Sequence, residues 1–213
     1  DPAILSLNAE AALGASTNTR QVSLNEAMSE KVCVTFLANG TIKQIASVKP
    51  GLNFEAGCAA AGGEVFGPRE ALLGTVDLTD PNVPAGIPLM WTDMSGESKM
   101  VTVLKMDGTE VMVNVTENPT QDDTEQWEIY NFTVDAHPIH LHLVRFQVVN
   151  REGAGGIRAP EPWEAGYKDT VIAYPGEITR VKATFDIAGL YVWHCHIVEH
   201  EDNEMMRPYV VSP

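Results

Sequence analysis

The 213-residue chain reads as an all-β protein, and three observations predict it. Short runs rich in Val, Ile, Thr, Tyr and Phe recur between clusters of Gly, Pro, Asn and Asp. Two of those clusters sit between strand-like runs as hairpin signals. The segment Gly-Leu-Tyr-Val-Trp-His-Cys-His over 189–196 is dense in strand formers.

In chain order, residues 1–19 are small, polar and alanine-rich, as a linker is. They lack the basic start and apolar centre of a signal peptide. Strand-like sequence begins at Arg20-Gln21-Val22-Ser23-Leu24. Residues 32–36 and 42–48 flank Ala38-Asn39-Gly40, a hairpin signal. Residues 57–96 are rich in Gly, Pro and Asp and read as a loop-rich insertion, with a short helical turn over 69–73. Residues 99–106 and 109–115 flank Asp107-Gly108, a stronger hairpin signal. There is no internal repeat.

A net charge of −15 argues against nucleic acid, whose phosphates require Lys and Arg, and against anionic membrane surfaces. It suits cationic or neutral small molecules. No apolar run approaches the length of a membrane span.

All six histidines fall in two clusters. The first is His137-Pro138-Ile139-His140-Leu141-His142; the second is His194-Cys195-His196-Ile197-Val198-Glu199-His200, followed by Met205. Two His, one Cys and a weak axial Met are the ligand set of a blue-copper site, and His137, Cys195, His200 and Met205 supply it. His140, His142, His194 and His196 remain, and a simple electron carrier has no use for them. Isolated core histidines do not arrive as two sets of three around a cysteine. Structural zinc needs only four closed ligands in spaced pairs. Met206, beside Met205, is an alternative axial donor.

Strand parity sorts these ligands, because successive side chains of a strand point to opposite faces. An extended 189–196 sends Cys195 one way and His194 and His196 the other. His140 and His142 share a parity opposite to that of His137, which Pro138 makes less regular. Each segment thus offers ligands to two sites at once.

At these residues the chain resembles the C-terminal cupredoxin domain of multicopper oxidases, in the branch of bacterial spore-coat laccases and bilirubin oxidases. The likeness rests on residues 137–142 and 194–202, on Met205-Met206-Arg207-Pro208, and on the segments 166–170 and 124–129. It implies a cupredoxin-like Greek-key β-sandwich over 20–213. It implies that His137, Cys195 and His200 hold type 1 copper with Met205 axial, that His140 serves type 2 copper, and that His142, His194 and His196 serve the type 3 pair. Glu201 would help deliver protons, against the plainer reading of a solvated acid among Glu199, Asp202 and Glu204. The reaction implied is one-electron oxidation of a small reducing substrate coupled to four-electron reduction of dioxygen to water.

The resemblance also implies a gap. The family's trinuclear cluster takes eight histidines, this chain has four for it, and residues 1–136 contain none. The expected partner is an N-terminal cupredoxin chain or cleaved fragment carrying the other four. An extracytoplasmic location is expected, where disulfides persist; Cys33 and Cys58 are then either bridged or two buried thiols. Met90, Met94, Met100, Met106 and Met112 read as core filler rather than cuprous-ion ligands. Asn39, Asn114 and Asn131 open Asn-x-Thr sequons. The rivals are a non-catalytic blue-copper carrier and a copper nitrite reductase, the latter not requiring His on both sides of the cysteine.

Overall fold

The computed structural model describes residues 10–28, 32–47, 54–67, 69–89, 99–104 and 108–213. The chain divides into two compact units, one formed by residues 1–25 and 71–213 and the other by 26–70.

The larger unit is a β-sandwich. One sheet runs in the order Gly156–Arg158, Phe146–Gly153, Ile178–Thr184, Thr124–Asn131, Asn18–Met28, Arg69–Asp77, Ala85–Pro88, with Tyr167–Lys168 beside Phe146–Gly153. The other runs Thr170–Ala173, His137–Leu141, Gly189–Cys195, Met206–Val211. Strand neighbours are mostly not sequence neighbours, as Greek-key connections require. Alternating burial gives Ile178–Thr184 one wet and one dry face. Between the sheets Trp127 packs edge-on against Trp193 and Tyr209 at centroid distances of 5.8 Å and stacks on Phe185. Cys195 and Met205 belong to this same buried core.

Two charged groups are built into the large sheet. Strand Asn18–Met28 pairs in parallel with Thr124–Asn131. There Arg20 grips the buried Glu125 carboxylate with Nε and Nη2 at 2.9 and 2.7 Å, and Trp127 Nε1 donates to the same carboxylate at 3.0 Å. Arg151, fully buried, donates from Nε to Glu164 Oε2 at 3.2 Å and from Nη1 to Thr179 Oγ1 at 2.9 Å. Buried charges persist only when paired in this way.

The smaller unit is a three-stranded sheet, Ile42–Ser47, Val32–Phe36, Gly63–Phe66, with the helix Phe54–Ala60. Cys33 and Cys58 form a disulfide with Cα atoms 5.6 Å apart.

Several sequence expectations are corrected here. Residues 69–73 are not a helical turn but the start of strand Arg69–Asp77, whose run Ala71-Leu72-Leu73-Gly74 is buried without a helical period. The stretch 57–96, read as loop-rich, contains strands at Gly63–Phe66, Arg69–Asp77 and Ala85–Pro88; its Gly and Pro residues punctuate short strands. Asn18 and Thr19, read as linker, already belong to a strand. Met112 is half exposed, so it is not core. Asn131 is buried rather than presented at the surface. Residues 1–9, Met90, Met94, Met106 and Asp107 lie outside the described residues, as do the side chains of Met100 and Asn114.

Candidate metal centres

The histidine segments meet in the four-stranded sheet. His137–Leu141 pairs antiparallel with Gly189–Cys195, placing Ile139 opposite Cys195 and His140 opposite His194. Directly opposed residues share a face, so His140 and His194 emerge on one side and Cys195 on the other. His137 and Pro138 keep regular register with Ala173 and Ile172. The proline thus leaves parity intact, and His137 emerges on the side of Cys195.

The first cluster is His137, Cys195 and His200. Cys195 Sγ lies 3.7 Å from His137 Nδ1 and 3.8 Å from His200 Nδ1, and the two nitrogens are 3.2 Å apart. A flat three-donor site with metal bonds of about 2.0 Å to nitrogen and about 2.3 Å to sulfur has edges of about 3.5 and 3.7 Å. The triangle therefore fits one ion. Met205 is fully buried, and its carbonyl accepts the Cys195 N–H at 3.0 Å. Met206 is only partly buried and pairs in register with His194.

Hydrogen bonding dictates which ring nitrogen is bare. Thr133 Oγ1 lies 2.7 Å from His137 Nε2. The single hydroxyl proton of Thr133 is directed at Asn131 Oδ1 (2.8 Å) or Asp135 O (3.1 Å), neither of which can donate. His137 Nε2–H is therefore the donor, and Nδ1 faces the cluster with a lone pair. Such partners of a ligating imidazole fix its tautomer and orientation. In the sequence Asn131 and Thr133 are marked only as a sequon, not as partners of a ligand. Burial pushes the Cys195 thiol above its ordinary range, opposed by the Ile197 backbone N–H and reinforced by Glu201; a bound cation displaces such a proton outright.

The second cluster is His140, His142 and His194, whose donor atoms lie within 4.8 Å of one another. Here the opposite nitrogens are bare. His140 Nδ1 donates to Asp169 O at 2.8 Å and His194 Nδ1 to Cys195 O at 2.9 Å, leaving both Nε2 atoms as acceptors. His142 Nε2 is 3.1 Å from His194 Nε2. His142 is placed by a turn in which Leu143 adopts φ +69°, unusual for a bulky residue. Its carbonyl accepts Val144 N–H and Tyr209 O–H. Desolvation and then the neighbouring His140 and His194 hold His142 below the usual imidazole range, which keeps it neutral and able to ligate. His196 is exposed, and its ring centre is 5.5 Å from that of His194 and 5.9 Å from that of His140. It adjoins the cluster without joining its tight donor group. Glu201 Oε2 lies 3.7 Å from His194 Nδ1, although its neighbour His200 serves the first cluster.

Two donor clusters back to back on one strand of a Greek-key sandwich mark a metal-binding protein of the cupredoxin fold. The chain belongs to the multicopper oxidase family, whose profile matches residues 87–213. It is 48% identical over 113 residues to a laccase of Bacillus subtilis (strain 168), covering 46% of this chain and 22% of that protein. It is 52% identical over 90 residues to a laccase of Haloferax volcanii, covering 42% and 15%. Against the bilirubin oxidase of Albifimbria verrucaria it is 39% identical over 87 residues, covering 40% and 15%. The matched segments thus span about a fifth or less of these relatives' lengths. Among solved structures, a laccase from Pediococcus acidilactici aligns with a TM-score of 0.44 at 22% identity, over 89% of this chain and 47% of that one. Copper is the metal this membership implies.

Proposed function

We propose that the chain is the C-terminal part of a laccase-like multicopper oxidase, working outside the cytoplasm. His137, Cys195, His200 and Met205 would hold type 1 copper; His140 would serve type 2 copper, and His142, His194 and His196 the type 3 pair. The remaining four histidines come from an N-terminal cupredoxin chain or fragment. Bound there, copper supplies one-electron oxidation of a small reducing substrate and four-electron reduction of dioxygen to water. The observation that carries this reading is the strand Gly189–Cys195, which presents Cys195 to one donor cluster and His194 to the other. Nothing in an electron carrier would need the second.

The chain's own residues have definite tasks. Thr133, Asp169 and the Cys195 carbonyl hold three imidazoles in the tautomers that expose Nδ1 at the first cluster and Nε2 at the second. The core around Trp193 and Tyr209 keeps water from Cys195. Glu201, whose Oε2 lies 3.7 Å from His194 Nδ1, is the residue that would help deliver protons. Among the described residues no helix is long and apolar enough to cross a membrane.

The test is mass spectrometry and copper counting on the native, copper-loaded protein. A companion polypeptide and four coppers per assembly are expected. A lone 23 kDa species with full oxidase activity would refute the half-site arrangement.

A further inference from the structure

The turn that aims His142 is strained, and something must hold it. His142, Leu143 and Val144 form a γ-turn: Val144 N–H donates to the His142 carbonyl at 2.9 Å, around Leu143 at φ +69°. A γ-turn with positive φ at its centre is the rare, strained form. Leucine lacks the short polar side chain that lets Asn or Asp bond locally in such a conformation. It also lacks the freedom of glycine. Strain of this sort persists only where the surroundings over-determine it, and it gathers at functional sites.

Three ties hold this turn. His142 N–H donates to the Val192 carbonyl at 3.1 Å, fixing it to the strand Gly189–Cys195. Val144 is buried and anchors the far side. The third tie comes from 67 residues further along the chain. Tyr209, on Met206–Val211, is fully buried, and its hydroxyl donates to the same His142 carbonyl. That carbonyl thus accepts twice, using both lone pairs. Packing fixes the Tyr209 ring, with the ring centres of Trp127 and Phe185 at 5.8 Å and that of Tyr191 at 5.6 Å. Tyr209 therefore belongs to the core that contains Cys195, while its oxygen reaches the backbone of a donor of the other cluster.

The balance of terms makes that contact matter. The strain of one residue at positive φ is of the same order as one buried hydrogen bond, so the hydroxyl can decide which way the turn lies. His142 is exposed, so its aim comes from its backbone rather than from packing around its ring. We infer that Tyr209 is a positioning residue for His142. Its hydroxyl locks the γ-turn at Leu143, and the locked turn brings the His142 ring to 4.9 Å from that of His140 and 5.2 Å from that of His194. Its value to a copper cluster rests on the laccase-like reading above; its hold on the turn does not.

Variants of the native, copper-loaded assembly test this. Tyr209→Phe keeps the ring and removes the hydroxyl. Leu143→Ile opposes the turn from its other end, because a β-branched residue resists positive φ. Leu143→Gly adopts positive φ without strain, so combined with Tyr209→Phe it should make the hydroxyl dispensable. Each of the first two variants should bind copper at the second cluster roughly tenfold more weakly, the low end for losing a contact behind a ligand. Competition with a chelator measures this, and the Cys195 thiolate-to-copper band should stay unchanged. The Val144 amide should exchange with solvent roughly tenfold faster in Tyr209→Phe, and the double variant should regain wild-type copper binding. Wild-type copper binding and Val144 exchange in both single variants would overturn the assignment. So would a copper loss that Leu143→Gly fails to repair, since the hydroxyl would then act elsewhere than on the turn. Should Tyr209→Phe not fold, Leu143→Ile decides alone. A wild-type assembly holding copper only at the Cys195 cluster would instead overturn the multicopper reading, and Val144 exchange would still report whether Tyr209 holds the turn.

Discussion

The two donor clusters share strands yet differ in how they are closed. Around the first, His137 and Cys195 are almost wholly buried, His200 is half-buried, and the donor triangle fits one ion. Around the second, His194 is buried, but His142 and His196 are exposed, and His142 Nε2 and His194 Nε2 lie 3.1 Å apart. A site completed by its own fold can be enclosed. An open face is what the proposed completion of the second cluster by further histidines requires. The contrast teaches that two clusters sharing one strand can differ in how much of each donor set the fold covers.

The strongest way to break the contrast is Cys195→Ser. It should abolish the intense visible absorption and all donor oxidation while leaving metal on the open cluster, read by absorbance and copper counting. His196→Ala should do the converse, keeping the blue band and abolishing oxygen uptake. A variant that kept its blue colour and its full physiological activity would favour the electron carrier. Thr133→Val removes the partner of His137 Nε2 and should weaken copper at the enclosed cluster by about 10–100-fold, the usual penalty for losing such a contact. Thr133→Ser should restore it, measured by competition with a chelator.

A smaller effect lies in the scaffold that both clusters share. Glu164→Gln leaves Arg151 buried without its carboxylate and should cost about 3–5 kcal/mol. That lowers the melting temperature by roughly 6–20 °C for a chain of this size. Burial raises the Glu164 pKa, but the Arg151 hydrogen bond and the Glu161 backbone N–H outweigh it, so the net shift is downward. A carboxylate whose folded pKa lies below its unfolded one contributes stability fully present above the unfolded value. That stability is lost as pH falls through the folded value. Wild-type melting should therefore decline below about pH 4.5, and Glu164→Gln should flatten that decline. Reducing the Cys33–Cys58 bridge should matter least to either cluster. It costs about 3.5 kcal/mol in the chain-entropy model, should be read as faster proteolysis within 26–70, and should leave the visible band unchanged.

Much of the site was legible beforehand because ligation is written in residue type and parity. Six histidines, one cysteine and a period of two sufficed to sort His137 and Cys195 from His140 and His194. The supporting residues were not legible. Asn131 and Thr133 look like a sequon, and Asp169 contributes a backbone carbonyl that any residue carries. In the fold, hairpins with clear turn residues were readable. Strand Arg69–Asp77 was not, because a continuous buried run has no period by which to tell strand from helix.

Sequence alone thus determined the donor chemistry and the side of the strand from which each donor leaves, since both follow from covalent order and the pleat. Tertiary structure alone decided which imidazole nitrogen faces inward, how far each donor is covered, and that Asn131 and Thr133 stand behind His137. Those depend on backbone conformation and strand packing: the bend between Thr133 and His137 brings that pair together, and the paired strands bring the Asp169 carbonyl to His140.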